Sequence, residues 1–272
     1  MPVLPMVILY VLFFVSPLSF LFIMSFSSEW ATFQFSFEQY AKFFLQPLNL
    51  EVLLETVMLG VKVVLFTTLM GYPVALLYMK LGRTGRQVLL FLTVLPLLTS
   101  NVVRTLAWIV ILGQDGVINS TLIGLGLTST PIQFMYTEFG LVLALSQIDL
   151  PLLVLPLLGV MTKIDRSLWE ASTSLGMNAW RTLFRIILPL SIPGLLAGWT
   201  LVFASASMNF VTQAVIGGAR LIYLPLFVYQ QVTTLFNWPF AAAVAVIMLG
   251  STGIVLAILT ILSRNRRINV YA

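Results

Sequence analysis

The chain has 272 residues, of which 60% are hydrophobic and only 8% charged, and its mean hydropathy is +1.04. A soluble domain carries roughly 25% charged residues, so most of this surface needs lipid as its solvent. There is no Cys and no His, which excludes disulfides, thiol or imidazole metal sites, His-ligated haem and His-based catalysis. The lack of Cys leaves the redox compartment open. The net charge of +5 looks like a signal for an anionic partner, but its placement along the chain reports membrane topology. We therefore expect no nucleic-acid partner, no metal and no cofactor bound by this chain.

Apolar runs of about twenty residues give six expected spans, at residues 3–26, 54–79, 88–112, 138–161, 190–215 and 239–263. Strand-period alternation is absent, which argues against a β-barrel, and helices satisfy their own backbone groups. The expectation is an all-α membrane protein with six transmembrane helices, forming a single domain over 1–272. The first span starts too near Met1 for a typical signal peptide and has neither a basic leader nor a clear cleavage site. Apolar residues follow Met1 at once, so no N-terminal tail is expected to reach a partner.

Between the first two spans, F-S-F-E-Q-Y-A-K-F-F sets Phe37, Tyr40, Phe43 and Phe44 at a spacing that suits an interfacial amphipathic helix. Lys62 lies toward the outer end of the second span, where its ammonium can snorkel. The third span holds Asn101, Arg104 and Trp108. An outer loop at 113–137 carries Asp115-Gly116, Asn119, Pro131 and Tyr136, and Glu138 opens the fourth span as a solvated residue. Asp149 sits near the middle of that span, in S-Q-I-D-L-P. Polar groups at such depth are costly and mark pathways. For Asp149 two partners are open, Arg104 within the chain or a cationic solute. Asn209, Thr212 and Gln213 fall in the outer half of the fifth span, where a pathway role and helix-to-helix hydrogen bonding weigh equally. The outer loop at 216–237, with Gly217-Gly218 and Pro225, either receives a soluble partner or only connects spans.

Lys and Arg in the short loops orient the chain. Lys80, Arg83 and Arg86 follow the second span, Lys163, Arg166, Arg181 and Arg185 the fourth, and Arg264, Arg266 and Arg267 the sixth. The opposite side sets Lys42 and Arg220 against Glu29, Glu38, Glu51, Glu55 and Asp115. Both termini and the 162–189 loop are therefore expected in the cytoplasm. G-R-T-G-R at 82–86 is not a Walker A loop, and no G-x-x-x-x-G-K-[ST] occurs anywhere in the chain. Any ATP chemistry must come from another subunit.

The longest polar interval on that basic side is S-L-W-E-A-S-T-S-L-G-M-N-A-W-R-T-L-F-R-I-I-L-P, residues 167–189. Ser167 and Glu170 have capping-box spacing and predict a helix start. Gly176 suits a left-handed helix stop. Asn178 can cap a second helix that runs from Ala179 into Pro189.

This stretch resembles the cytoplasmic loop motif of ABC-importer permeases: Glu170-Ala171-Ser172, Gly176, then Ile186-Ile187-Leu188-Pro189. Every spacing matches, and Ser172 stands where the family has a second Ala. The resemblance implies a coupling helix that docks in a groove on an ATP-binding subunit, with Glu170, Ala171, Ser172, Gly176, Ile186, Leu188 and Pro189 carrying the contact. Three further stretches are similar to polyamine-type (spermidine/putrescine) permeases: P-L-L-T-S-N-V-V-R at 96–104, T-P-I-Q-F-M-Y-T at 130–137, and G-G-A-R at 217–220 with N-W-P-F-A-A-A at 237–243. The resemblance implies a multi-pass protein of the bacterial inner membrane that forms a translocation path and catalyses nothing. Its expected partners are a second permease, related rather than identical, two ATP-binding subunits that hold ATP and Mg, and an extracytoplasmic solute-binding protein. The second permease is expected to pack on small residues such as Ala204, Ser205, Ala206 and Ser207. A polyamine is the first choice of solute, with Asp149, Arg104, Asn101, Trp108, Tyr136, Asn209 and Gln213 as pathway residues. An opine, a phosphonate or an amino-acid-like solute is the alternative within the class. Outside it stand a secondary transporter, which usually shows paired repeats with broken helices, and a scaffold subunit.

Overall fold

The computed structural model describes residues 3–29 and 34–270. Among them the chain is almost entirely helical, and the one β contact is an isolated bridge between Ser27 and Phe35. Five helices are long and apolar enough to cross a bilayer: Met6–Met24, Pro47–Lys80, Asn101–Gly124, Ala179–Met208 and Trp238–Leu262. A sixth crossing comes from Glu138–Ile148 and Leu150–Met161, which meet at a bend of 46°. Leu54, Leu65, Leu69, Val110 and Ile254 are large apolar side chains exposed on these helices.

The third expected span is not one helix. It divides into Arg83–Val94, a short 3-10 turn over Leu95–Leu98, and Asn101–Leu112. Pro96 has no N–H to give the preceding turn, and Thr99 leaves in an extended conformation with its hydroxyl on the Pro96 carbonyl, 2.8 Å away. The fifth span begins earlier than expected, at Ala179, and breaks at Asn209. Residues Leu224–Thr233, expected as part of an outer loop, form a helix.

Two π-helical turns, Val11–Val15 and Leu183–Ile187, each lead into a proline, Pro17 and Pro189. The proline ring crowds the carbonyl four residues back and cannot bond it. The helix widens instead, so that the N–H of Ser16 reaches Val11 and that of Leu188 reaches Leu183. Pro189 thus does not end its helix, which continues to Met208.

The chain forms two compact units. The first comprises residues 1–57 and 222–253. Its core is Phe43, Val52, Leu224, Phe227, Phe240 and Val244. The expected amphipathic helix is there as Glu38–Leu45, burying Gln39 and Phe43 and leaving its other face open. Lys42 sets its ammonium 5.1 Å from the centroid of Phe240, a cation–π contact. Thr56 Oγ1 accepts the otherwise free N–H of Leu224 at 2.9 Å, which ties the start of the Leu224–Thr233 helix into this core.

The second unit comprises residues 58–221 and 254–272 and holds both candidate functional regions. In it the Leu188–Met208 helix packs tightly on Leu150–Met161. A Cβ on Gly194 would lie 3.0 Å from the Leu157 Cα, and one on Gly198 3.1 Å from the Leu153 Cα. Small residues four apart let the two backbones approach, as in membrane helix pairs generally. Trp199 donates to Thr68 Oγ1 at 2.8 Å, and the hydroxyls of Tyr72 and Ser191 bond at 3.0 Å. Lys62 and Glu138 form an ion pair, so neither the snorkelling expected of Lys62 nor the purely solvated Glu138 describes them. Asn119 is fully buried and organises the 113–137 loop: its amide donates to Gly113 and Ile132 carbonyls and accepts the Ile132 N–H.

Candidate functional site

The polar motif at 165–189 folds as two helices joined by one left-handed residue. The first is Arg166–Ser174, and its N-cap is Asp165, whose carboxylate accepts the Ser167 N–H at 2.9 Å. The expected capping box from Ser167 to Glu170 is therefore not used. Asp165 is an equally good cap two residues earlier, which puts Ser167 inside the first turn. The Ser167 N–H on the carboxylate also holds Asp165 below the usual carboxylate range. The helix ends as the sequence predicts. Gly176 has φ +74, its N–H bonds the Thr173 carbonyl at 3.0 Å, and the Met177 N–H bonds Ser172 at 3.0 Å. That pair of bonds is a complete Schellman motif. Asn178 then caps the second helix by accepting the Arg181 N–H at 2.9 Å.

Ser172, the departure from the family motif, has a structural role here. It is buried, as is Thr182, and their hydroxyls bond at 2.9 Å across the two helices. Ser172→Ala and Thr182→Val should each cost about 1 kcal/mol, the usual net worth of such a bond, because each hydroxyl also has a carbonyl nearby. The double variant should cost clearly less than the sum. Thermal unfolding of all four proteins as a double-mutant cycle measures this, and strict additivity would remove the clip.

The outer face of this loop is apolar. Leu168, Ala171 and Leu175 are exposed at the i, i+3 and i+7 spacing of a single helix face, and Trp180 stacks on Phe184 with both rings exposed. Behind the first helix lies a cavity of about 390 Å³, lined among others by Met79, Arg86, Asp165, Trp169, Glu170 and Ile187. Glu170 is exposed, Ile187 buried, and Ile186, Leu188 and Pro189 are half-buried.

The second region lies deeper, where the helix of the fourth span bends. Asp149 ends Glu138–Ile148, and Pro151 opens the following helix. Its carboxylate is buried, and Oδ1 accepts from Ser205 at 2.7 Å, while Oδ2 has no partner. The direct pair with Arg104, one of the two open alternatives, does not form. Arg104 donates instead to the main-chain carbonyl of Ile148 at 3.2 Å, and its Nε is unpartnered. Asn101 opens its helix with a buried, unpartnered Oδ1. Trp108 donates its indole N–H to Gln147 at 3.1 Å. Thr105 and Thr212 bond at 3.0 Å, and Asn209 caps the short Phe210–Thr212 helix through the Thr212 N–H. Gln213 gives its amide to the Ala206 carbonyl at 3.0 Å, and its Oε1 is free.

Asn101, Arg104, Trp108, Asp149, Asn209 and Gln213 thus form a set of polar side chains, the first three half-buried and the last three buried, held by separate hydrogen bonds. Tyr136 lies outside it. Its backbone is left-handed, its N–H bonds Ile216, its ring is 46% exposed, and a Cβ on Gly218 would come within 2.6 Å of that ring. Gln147 and Ser205 are members that the sequence did not single out. Gln147 sits beside Asp149 in S-Q-I-D and was a readable signal. Ser205 was expected on a face for a second permease. Of that small-residue run, Ala206 and Ser207 are buried within the chain, and Ser205 is spent on Asp149.

Helices long and apolar enough to span a bilayer, one of them bent at a buried carboxylate, define a multi-pass membrane protein. The family model described as "Binding-protein-dependent transport system inner membrane component" matches residues 67–268, and the chain belongs to that family. It is the permease subunit of an ABC importer, a multi-pass inner-membrane protein, and its relatives are named as transport subunits and not as enzymes. It is 34% identical over 219 residues to the spermidine/putrescine transport system permease protein PotB of Haemophilus influenzae, covering 80% of this chain and 76% of that one. PotB of Escherichia coli K12 is 33% identical over 224 residues, with 82% and 81% covered. The putative 2-aminoethylphosphonate permease PhnU of Salmonella typhimurium is 31% identical over 144 residues, with 53% and 50% covered. Among solved structures, a bacterial ABC transporter that imports the acidic polysaccharide alginate shares the fold. Its TM-score is 0.78 at 19% identity, over 97% of this chain and 93% of that one.

Proposed function

We propose that the whole chain acts as one permease domain for a polyamine such as spermidine or putrescine, and that the polar side chains around Asp149 line its pathway. The observation that carries this reading is the unpartnered Oδ2 of Asp149, a carboxylate oxygen buried at a helix bend with no ion pair. A carboxylate at such depth costs about 2.5–3.5 kcal/mol on insertion scales, which a cation bound there offsets. The names of the PotB relatives supply the solute class. Spermidine uptake into vesicles holding the full importer tests it directly. Saturable, ATP-dependent uptake that putrescine competes for is expected, and uptake of 2-aminoethylphosphonate but not of spermidine would overturn the polyamine reading.

The Arg166–Ser174 helix is the coupling helix in this proposal. Its exposed Leu168, Ala171 and Leu175 stripe fits a groove on an ATP-binding subunit, in the manner of amphipathic helices in general. Two such subunits bind ATP and Mg, a second related permease completes the path, and an extracytoplasmic binding protein delivers solute. ATP binding draws the coupling helices together and favours the outward-open state by differential affinity.

Both termini and the coupling loop lie in the cytoplasm. Of the cations behind that orientation, the side chains of Arg166, Arg264, Arg266 and Arg267 are outside the described ones. The chain has no Cys, so single cysteines report position on a clean background. Leu175→Cys, 81% exposed in the parent residue, should react with an impermeant maleimide only from the cytoplasmic side, and Ala219→Cys only from outside. Labelling of both from one face would remove the orientation.

A further inference from the structure

At the end of the Pro47–Lys80 helix, a second cavity of about 730 Å³ opens to the surface. Lys80, Arg83 and Arg86 line it together with Leu90, Phe91 and Val94, and no acid is among its lining residues. Arg86 is fixed in place. Its Nε and one terminal nitrogen donate to the carbonyls of Tyr78 and Met79, both at 3.1 Å, and the guanidinium carbon lies 5.4 Å from the Tyr78 ring centroid. Those bonds close the C-terminal carbonyls of the spanning helix and leave the other terminal nitrogen free. Lys80 and Arg83 are exposed, and neither is in an ion pair. Asp165 and Glu170 face Lys80 and Arg86 from the adjoining cavity, whereas Arg83 lines only this one.

The opposite wall is apolar. Phe91 and Leu90 are exposed, and with exposed Val88 and Leu92 they continue along the Arg83–Val94 helix. A cluster of cations beside an open greasy wall, at the end of a membrane span, is complementary to a phosphate group with acyl chains attached. A free anion would use the cations and leave the wall without a partner.

We propose that this cavity binds the headgroup of an anionic phospholipid, with Lys80, Arg83 and the free terminal nitrogen of Arg86 on the phosphate and the acyl chains along Leu90, Phe91 and Val94. The site faces the cytoplasmic leaflet if the orientation above holds, but the binding itself does not depend on it. Bound lipid would hold the turn at Leu81–Gly82 between two helices that also border the coupling-loop cavity.

The test is native mass spectrometry of the full-length chain in detergent, titrated with phosphatidylglycerol or phosphatidylcholine. One phosphatidylglycerol adduct per chain is expected in preference to phosphatidylcholine. The double variant Lys80→Gln/Arg83→Gln should weaken it by roughly thirtyfold, since each cation near an anionic lipid is worth about fivefold. Lys80→Arg/Arg83→Lys should retain it, and Lys163→Gln/Arg181→Gln, which leaves the cavity intact, should bind as the parent does. Arg86 is left alone because it caps the spanning helix. Unchanged phosphatidylglycerol binding in the double variant would overturn the proposal. So would equal binding of the two lipids, or displacement of the adduct by millimolar inorganic phosphate, which would make the cavity an anion site and not a lipid site. The charge-state distribution in the same spectra reports whether each variant remains compactly folded.

Discussion

Asp149→Asn is expected to abolish uptake of a cationic solute while leaving the protein folded and inserted. The substitution keeps an oxygen in the Oδ1 position, so the hydrogen bond from Ser205 survives. What changes is the unpartnered Oδ2, which becomes an amide nitrogen and loses its charge. Removing a buried charge that no ion pair holds should not harm insertion and should ease it. A solute held by that charge loses its counter-ion, and kcat/KM for spermidine should fall by about a hundredfold, equivalent to about 2.7 kcal/mol. Arg104→Gln should hurt far less, because the guanidinium is spent on the Ile148 carbonyl and does not touch the carboxylate. If the two charges served each other at a distance, each single change would leave one of them uncompensated and cut expression. The double variant would then recover both expression and transport, and that recovery would sink the substrate role of Asp149. Vesicle uptake with all four proteins, normalised to inserted permease, separates the outcomes.

The apolar runs made the spans legible, because twenty residues of low polarity have few alternatives to crossing a bilayer. Their interiors were less legible. A hydropathy window averages over a short break, so the turn at Leu95–Leu98, the bend at Asp149 and the break at Asn209 disappear into it. Each break carries a local sign, Pro96, Asp149 before Pro151, and Asn209 acting as a cap, but the sign has meaning only once the neighbouring helices are in place. The Leu224–Thr233 helix was missed for a related reason: it is too short to span, and what holds it is burial in the first unit rather than its own length. The Lys62–Glu138 pair joins residues 76 apart, and nothing in either segment announces the other.

Local chemistry was a better guide within the loop at 165–189. Gly176 and Asn178 were readable because left-handed backbone and helix caps admit few residue types. The first cap was misread because Asp165 and Ser167 both qualify, and only the geometry chooses between them. The candidate pathway residues were picked out by their cost: polar groups in an apolar run stand out whatever the fold. Ser205 escaped because a serine among small residues costs little and fits a packing face equally well.

Gly176→Val is expected to give a permease that inserts normally and hydrolyses ATP in the assembled importer without responding to solute. Nothing lies within 4 Å of where its Cβ would be, so space does not exclude a side chain. The obstacle is the backbone. At φ +74 an L-residue brings its Cβ against the following carbonyl, at about 1–2 kcal/mol, and β-branching makes this worse. A valine there escapes by leaving the left-handed region, which breaks the bonds from Gly176 to Thr173 and from Met177 to Ser172. The Arg166–Ser174 helix then loses its fixed angle to the helix beginning at Ala179, and a movement imposed on one is no longer passed to the other. The spanning helices take no part in that turn, so membrane insertion is spared. Asn tolerates the left-handed region, and Gly176→Asn should keep most of the coupling. Glu170→Ala separates geometry from contact. Glu170 caps nothing here and is exposed, so its loss should leave the loop folded and weaken only what it touches on the ATP-binding subunit. Solute-stimulated ATPase activity of the reconstituted complex is the measurement. Loss in Gly176→Val with retention in Gly176→Asn places coupling in the turn, whereas full stimulation in Gly176→Val would reduce the loop to a connector.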